Sequence, residues 1–529
     1  MTGTGTGPGP DPGRDPGTGP DPGPAPDSDD QEALDPSGVL SAAVVETRVA
    51  RRRRALGPVP GRMTAIVVAV AVVVGVGVVS LAAPAPPPPP PAPPGDGVQV
   101  APATARTSSL FCVTGAGIDA GAGATGSVVL TNTTRTAVRG VMTTAQGSGA
   151  PAVRRSVTVP PLGSADVTPA QGLPAGATAT TFTFAGGGVT GTMVVASPFG
   201  WSTAPCVSSV SSEWDFVGGS TATGLLDLTL YNPTAASAMV NVSFLGTDGN
   251  VLVPQAYQGI TLTPGQLVVA GLGAYVQNQS VVATLVQTSS GAVVATELDR
   301  MAVKSGSGLA LVAGTPAPAT TWHLAQTTAV QGGTVDLSVA NPGQTPVTAV
   351  VTVGLSSATV TPQKLNVPAH AVATLAASAT AGWPLGSPYS ITVTAPAPIV
   401  VGRSVVAPPA GASPQAGLTG GTVAIASSWL VVGPGSPGNP LVAGATMQTL
   451  AVANPGPSSV QVAVTPLSGG RAVAMVKVAP DGLAVFGPDA VGGLQPLVVS
   501  ATGPVTVEVD DGPTGAPGIV SASGFPLGS

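Results

Sequence analysis

The sequence has 529 residues, which is enough for about three to five domains of ordinary size. Only 8% of the residues are charged, where about 25% is usual, and the formal net charge is −6. Beyond the N-terminal region no dense basic patch occurs, so the composition argues against a nucleic-acid-binding protein. Val, Thr, Ala and Gly dominate, and β-branched residues between turn-forming residues favour strands over helices.

The N-terminal part predicts a disordered cytoplasmic tail over residues 1–62 and a transmembrane helix over residues 63–83. The tail is rich in Pro, Gly, Asp and Thr and has little to bury. Arg51 to Arg54 precede an uncharged run of about 20 residues, which matches the thickness of a bilayer. The positive-inside bias then places the N-terminus in the cytoplasm and the C-terminal bulk outside the cell membrane. A cleaved signal peptide is the competing interpretation, and both interpretations export residues 84–529.

A proline-rich linker follows over residues 84–106. Its proline run favours an extended polyproline II rod at about 3.1 Å per residue, which would hold the first domain away from the lipid. The bilayer is therefore the first partner that the sequence predicts.

The exported region contains a weak internal repeat with a spacing of about 100–113 residues. Its clearest anchor is a strand that ends at asparagine, which in three of the four copies is followed by proline. These asparagines are Asn132, Asn232, Asn341 and Asn454. Because an asparagine side chain caps its own turn, and the residue before proline avoids the α region, each strand is expected to stop there.

Further turn signals keep the same register. Hairpin turns are predicted at 247–250 and 468–470, and proline turns at Pro161, Pro264, Pro368 and Pro480. A second hairpin is predicted near Gly187, Ser290, Pro396 and Gly503. About seven short strands in ~100 residues is the count of an immunoglobulin-like sandwich.

The predicted fold class is therefore all-β: tandem immunoglobulin-like β-sandwich repeats that follow a disordered tail and a single N-terminal transmembrane helix. The repeats are placed at residues 107–209, 210–318, 319–424 and 425–529. One large β domain with pseudo-repeats is the alternative.

Several features together resemble a known family. They are the anchor, Phe111-Cys112 at the start of the first repeat, Cys206 at its end, the Tyr231-Asn232-Pro233 turn, and Gly524-Phe525-Pro526. With these features, residues 63–529 resemble an uncharacterised actinobacterial family of membrane-anchored, extracytoplasmic proteins, and the repeats resemble bacterial immunoglobulin-like modules. The resemblance implies location and architecture. It brings no activity and no catalytic residues.

The two cysteines, Cys112 and Cys206, bracket the first repeat. Oxidising conditions outside the cytoplasm favour a disulfide between them, while two free thiols remain the alternative. Two cysteines so far apart offer too few ligands for a metal site.

Residues that could carry catalysis are few. His323 and His370 fall in different repeats and are interpreted as surface or turn residues. Glu297, Asp299 and Arg300 are interpreted as a solvated strand face, and Asp510-Asp511 as a turn. Glu213 and Asp215 flank Trp214, an arrangement that either packs between units or offers a sugar-stacking ring. No nucleotide, metal or nucleophile motif is recognisable, so neither an enzyme, a metal nor a cofactor is predicted.

Two functional hypotheses follow. The first is a non-enzymatic envelope protein that presents β-sandwich domains for structural or protein-interaction roles, with envelope proteins as partners. The alternative is binding of cell-wall polysaccharide through exposed aromatic rings, although the repeat positions of three of these residues favour packing instead. The candidate ligand-binding residues are Trp201, Trp214, Trp322, Trp383 and Trp429.

Overall fold

The computed structural model describes residues 97–527, except for positions 116–124, 148, 175, 198, 223, 304–305, 357–359, 407–414, 434–444, 492–494 and 514–519. The predicted tail, the predicted membrane helix and the proline run of the linker lie outside the described residues. Within the described residues, no helix has both the length and the apolar composition needed to cross a bilayer.

The described chain is almost entirely β, which confirms the predicted all-β class. Its strands form four consecutive strand groups. In each group one antiparallel sheet contains the opening strand, and a second contains the strand that ends at or beside the anchor asparagine. Side chains that alternate between buried and exposed positions, as in Ala238–Leu245, explain why these segments pair as half-buried strands.

The first strand group has sheets in the orders β1-β6-β3-β4 and β5-β2-β7-β8. Its strands are β1 (Ser108–Val113), β2 (Thr125–Asn132), β3 (Val138–Gln146), β4 (Val153–Val159), β5 (Gly163–Val167), β6 (Thr178–Phe184), β7 (Val189–Ser197) and β8 (Gly200–Pro205).

The second strand group consists of β9 (Glu213–Gly219), β10 (Gly224–Tyr231), β11 (Ala238–Leu245), β12 (Val251–Leu252), β13 (Ile260–Leu262), β14 (Leu267–Gly271), β15 (Val282–Ser290), β16 (Val294–Val303) and β17 (Gly306–Ala313), with 3₁₀ turns at Gln255–Tyr257 and Leu272–Ala274. Its sheets run β9-β15-β11, with β12 and β13 both on β11, and β14-β10-β16-β17.

The third strand group consists of β18 (Ala319–Thr327), β19 (Thr334–Asn341), β20 (Val347–Gly354), β21 (Gln363–Val367), β22 (Ala371–Ala376), β23 (Tyr389–Val406) and β24 (Gln415–Gly420), with a 3₁₀ turn at Ala377–Ala379. The long β23 belongs to both sheets, which run β18-β23-β20-β21 and β22-β19-β23-β24.

The fourth strand group consists of β25 (Ala426–Val431), β26 (Ala445–Asn454), β27 (Val460–Pro466), β28 (Ala474–Val478), β29 (Gly482–Phe486), β30 (Leu497–Pro513), β31 (Val520–Ser523) and β32 (Phe525–Pro526), with a short helix α1 (Pro488–Val491). Its sheets run β28-β27-β30-β25-β32 and β29-β26-β30-β31, and β30 is shared.

The first set of predicted hairpins is confirmed, because β11 pairs with β12 and β27 with β28. The second set is wrong. Near Gly187 and Ser290 the chain leaves one sheet and enters the other, and the flanking strands do not pair with each other. Near Pro396 and Gly503 a single bent strand makes the same crossing. Turn-forming residues mark these positions because the chain bends there between two sheets.

Each anchor asparagine ties two turns together. Asn232 is fully buried, and its Oδ1 accepts a hydrogen bond from the Thr234 backbone N–H at 2.9 Å. Its Nδ2 donates to the carbonyls of Ala236 at 2.8 Å and Leu262 at 2.9 Å. Asn132, Asn341 and Asn454 make the equivalent contacts. The side chain thus caps its own turn, as predicted, and also fixes the turn before the next strand.

Replacement of Asn232 by alanine should lower the free energy of unfolding by about 2–3 kcal/mol, because two carbonyls and one N–H lose their buried partner. Urea unfolding of the wild type and of Asn232→Ala measures the difference in the free energy of unfolding. The matched control is Asn250→Ala in an exposed turn. A loss at Asn232 no larger than that of the control would contradict the capping role.

Candidate functional site

The opening strands of the second, third and fourth strand groups each carry a buried tryptophan, which contacts the point where the chain passes between the two sheets. Trp214, Trp322 and Trp429 are each 0% exposed. Their indole Nε1 atoms donate to the carbonyls of Val293, Ile399 and Val505, at 2.8, 2.8 and 3.0 Å. Each acceptor lies where the chain enters the second sheet, so the indole satisfies a carbonyl at the bend.

The two other tryptophans are also packed. Trp383 is 7% exposed and contacts the Tyr389 ring at 5.7 Å between centroids. Trp201 is partly buried against a core to which the first, second and fourth strand groups contribute. Four of the five tryptophans are therefore buried, and Trp201 keeps part of its surface exposed.

Cys112 and Cys206 form a disulfide between β1 and the residue that follows β8. Both are 1% exposed, within a core cluster that also contains Leu298 and Leu311 of the second strand group. The bond therefore closes the first strand group at the place where the second packs against it.

Replacement of both cysteines by alanine should lower the free energy of unfolding by about 2–5 kcal/mol, because the unfolded chain regains the freedom of a loop of 94 residues. Thermal unfolding measures the loss. Reduction of the wild-type protein by a thiol reagent should produce a similar shift. A wild-type protein indifferent to reduction would contradict this prediction.

The predicted solvated face of β16 is wrong. Glu297 and Asp299 are 2% and 1% exposed, and the two carboxyls lie on one strand face as alternation requires. Glu297 Oε1 accepts from Thr284 Oγ1 at 2.7 Å, and Asp299 Oδ2 accepts from the Ser220 N–H at 3.3 Å. Burial raises the pKa of Glu297 to about 7, with a smaller increase from Asp227, and raises that of Asp299 well above its usual range.

Asp215, which follows Trp214 in β9, is a buried carboxyl. It is 2% exposed, and neither of its carboxyl oxygens has a hydrogen-bond partner. Burial, and then the charge of Glu213, raise its pKa well above the usual range, so the neutral acid is the favoured form.

Asp510 and Asp511 form no turn, contrary to the prediction, because both lie in β30 and pair with β26. Asp510 Oδ2 accepts from Gln326 Nε2 of the third strand group at 2.6 Å. Burial and the neighbouring Glu508 raise the pKa of Asp510 to about 7, against the opposing effect of Arg403.

The contact between the third and fourth strand groups is centred on a buried ion pair that the sequence analysis did not predict. Arg403 on β23 donates from Nη2 to Glu508 Oε1 on β30 at 2.6 Å, and the two side chains are 2% and 3% exposed. The Gln326 N–H donates to Glu508 Oε2 at 3.0 Å. A lone arginine inside the apolar run Ile399–Val406 was the available signal, since a buried charge needs a partner. This buried ion pair joins the third strand group to the fourth.

The two histidines are apart. His323 is 6% exposed, not at the surface as predicted, and burial lowers its pKa to about 4, so it is neutral at pH 7. His370 occupies a left-handed turn position with φ of 53°. Within the described residues, no group of three or more His, Cys, Asp or Glu side chains is arranged to hold a metal ion.

The terminal strands of the four strand groups meet around a cavity. Leu311 N–H of β17 donates to Ser202 Oγ of β8, and β17 pairs in parallel with β24. Thr419 Oγ1 of β24 donates to the Ser521 carbonyl of β31, which contacts β8. A parallel bridge between Val100 and Leu527 lies at the two ends of the described chain. Contacts between the strand groups therefore form a closed cycle.

The cavity has a volume of about 70 Å³, room for a few waters. Its lining carries hydroxyl groups, glycines and apolar side chains from all four terminal strands, and no charged side chain. Thr203 Oγ1 is buried there without a hydrogen-bond partner. Such a lining can hold water or a small neutral group. It contains no acid, base or nucleophile that would be activated for catalysis.

Gly402 tests whether the strand groups need this close packing. A Cβ at Gly402 of β23 would lie 2.5 Å from the Val217 carbonyl oxygen of β9. Gly402→Ala should therefore lower the free energy of unfolding by about 1–3 kcal/mol through overpacking. Urea unfolding compares it with Gly487→Ala, where the added methyl group meets no atom within 4 Å. Equal effects of the two substitutions would contradict tight packing between β9 and β23.

Comparison with known proteins gives a family but no activity. A model described as a family of unknown function (DUF5719) matches residues 177–482, which is more than half of the chain. A comparison with curated proteins finds no match.

Three solved structures match parts of this chain. The crystal structure of Thermotoga maritima 1070 is 17% identical, covering 20% of this chain and 93% of that one, with a TM-score of 0.18. A tetra-tandem repeat in the extending region of a large adhesion protein is 13% identical, covering 82% and 98%, with a TM-score of 0.09. Trypsin-activated alpha-2-macroglobulin from Escherichia coli is 9% identical, covering 80% and 42%, with a TM-score of 0.10. TM-scores this low carry no structural argument.

Proposed function

We propose that this chain, which belongs to the family of unknown function DUF5719, is a non-enzymatic protein of the cell envelope that presents a fixed set of β-sandwich surfaces to envelope proteins. In this proposal residues 63–83 anchor the chain in the cell membrane of an actinobacterium, with the N-terminus cytoplasmic. The described strand groups are then immunoglobulin-like sandwiches close to the predicted bounds 107–209, 210–318, 319–424 and 425–529.

One observation carries the proposal: the four strand groups contact each other in a closed cycle through β8, β17, β24 and β31. Independent domains on a flexible string would not need such contacts. The buried Arg403–Glu508 pair and the close approach at Gly402 belong to the same packing. Most of the acidic residues and histidines that were candidates for catalysis are buried within the strand groups. Their burial supports a presenting role over a catalytic one.

The alternative, binding of cell-wall polysaccharide through the five tryptophans, has less support. Three of these rings are fully buried at sheet crossings, and the other two pack against neighbouring side chains. Of the five, Trp201 is the one that keeps partial exposure.

Protease treatment of intact cells tests the topology. With one epitope tag at each end of the chain, we expect the C-terminal tag to be lost and the N-terminal tag to be kept. A C-terminal tag that is protected until the cells are lysed would overturn the proposed location.

Photo-crosslinking in the same cells tests the presenting role. A photoreactive residue at Met475, which is 75% exposed on the edge strand β28, should crosslink to envelope proteins. The matched control is Val478 on the same strand, which is 2% exposed. Identical patterns from the two positions, or none from either, would count against a presenting surface.

A further inference from the structure

Tyr275 is an aromatic ring that the fold holds open to solvent. It directly follows the 3₁₀ turn Leu272–Ala274 and is 60% exposed. Among the described aromatic side chains, the other one with more than a third of its surface exposed is Phe199, at 37%. Phe199 is covered by the Arg300 guanidinium, 4.7 Å from its ring centroid. Tyr275 is therefore unusual in a chain where only 3% of residues are aromatic.

The exposed ring is held in place from below. It meets the Tyr257 ring in an edge-to-face arrangement, with 5.3 Å between centroids and 81° between the ring planes. Tyr257 in turn contacts the fully buried Phe244 at 5.8 Å and donates from its hydroxyl to the Gly271 carbonyl at 2.7 Å. Three aromatic rings thus connect the core to the surface. A ring fixed in this way loses little conformational entropy when a ligand stacks on it.

Amide side chains follow the ring in sequence. Gln277 and Asn278 are exposed, and Asn278 has a left-handed backbone with φ of 57°. The next residue, Gln279, is fixed to the neighbouring loop, because its N–H donates to Thr221 Oγ1 at 3.1 Å and its carbonyl accepts from the Thr221 N–H at 3.0 Å. A strained backbone position in an anchored loop persists only where its surroundings hold it.

The composition of this loop limits the class of ligand. Residues 266–293 contain no Asp, Glu, Lys, Arg or His. A phosphate or carboxylate ligand would lack a cation on this segment to pair with. A pyranose ring instead offers a face of C–H groups to an aromatic ring, with hydroxyls at its edge for amides.

We propose that Tyr275, with the amides of Gln277 and Asn278, forms a binding surface for a neutral glycan chain. The Tyr275 ring stacks against one pyranose face, and the amide groups exchange hydrogen bonds with the sugar hydroxyls. This site goes beyond the presenting role, uses none of the five tryptophans, and can be tested on the purified protein whatever its location.

Calorimetric titration of the purified full chain with cellotetraose and with chitotetraose tests the site. We expect saturable binding of at least one of these oligosaccharides. Tyr275→Ala should weaken it about tenfold or more, because the stacking surface is lost, whereas Tyr275→Phe should stay within about threefold of wild type. Asn278→Gly keeps the left-handed backbone available and removes the amide, so it should weaken binding by several-fold.

Phe199→Ala is the matched control, since it removes an exposed ring that Arg300 already covers, and it should bind as wild type does. Thermal unfolding should shift little in Tyr275→Ala, because the ring is mostly exposed and makes one aromatic contact. No saturable binding of either oligosaccharide, or binding that Tyr275→Ala leaves intact, would overturn the proposal. Capture of a protein from cells by the wild type and not by Tyr275→Ala, without any oligosaccharide binding, would reassign the loop to a protein partner.

Discussion

Replacement of Arg403 by methionine should lower the free energy of unfolding by about 3–5 kcal/mol, because Glu508 is then left buried without its partner. The loss should be larger at pH 8 than at pH 5, because Arg403 also lowers the pKa of the buried Asp510, and its removal makes the ionised form of Asp510 less favourable at the higher pH. Urea unfolding at the two pH values measures both effects. Added salt should change them little, because the pair is 2% and 3% exposed.

The double variant Arg403→Met, Glu508→Gln separates the pair from the rest of the fold. It removes both charges and keeps an acceptor for the Gln326 N–H, so it should recover a large part of the lost stability. Arg471→Met, at an exposed turn, is the control and should change stability by less than about 0.5 kcal/mol. Additive losses in the double variant would mean that the two charges do not interact.

The second large expected effect is a loss of stability as the pH rises. Burial raises the pKa of Glu297 from 4.5 to about 7, so the folded state binds more protons than the unfolded state between these values. The contribution of neutral Glu297 to the free energy of unfolding is fully present below about pH 4.5. It is lost as the pH rises through 7, a decrease of about 3 kcal/mol from Glu297 alone. Of the two carboxyls that face Glu297, Asp227 opposes its ionisation further, while Asp299 is itself favoured in the neutral form. The Thr284 hydroxyl donates a hydrogen bond to Glu297.

Glu297→Gln should therefore match wild type at pH 4.5 and be more stable at pH 8, by up to about 3 kcal/mol. Glutamine keeps an oxygen that can accept the Thr284 hydroxyl. Urea unfolding at both pH values measures the difference, and Asp248→Asn in an exposed turn should show the pH dependence of wild type. A glutamine variant that loses as much stability with rising pH as wild type would show that Glu297 does not carry this effect.

Local sequence signals predicted the strand content and the turns, and they failed where a second surface covers a strand. The asparagine anchors and the first hairpins are encoded within a few residues, so they could be found. Alternation correctly predicts that Glu297 and Asp299 share one face of a strand, but it does not predict that this face is buried. In the structure, Thr296 and Leu298 on the other face are also buried. Both faces of β16 are covered, and alternation cannot reveal which neighbour does so.

The same limit applies to the polar contacts between strand groups. Asp510-Asp511-Gly512 has a turn composition, yet it continues β30 because β26 and β31 pair with it on both sides. Tertiary pairing overrides local preference here. Arg403 and Glu508 lie 105 positions apart, so no local pattern connects them. No local pattern predicts that the Tyr275 ring is exposed, because its position depends on the contacts among Tyr275, Tyr257 and Phe244.

The bridge between Val100 and Leu527 has a topological consequence. Because Val100, close to the first described residue, lies beside Leu527, the last one, a short peptide could join the two ends without stretching any strand. New termini could then be opened at the exposed turn 248–250. Such a circular permutant would keep every described strand pair while changing the order in which the strand groups leave the ribosome. Its stability could then be compared with that of the wild type to separate the effect of the contacts from the effect of the order of synthesis.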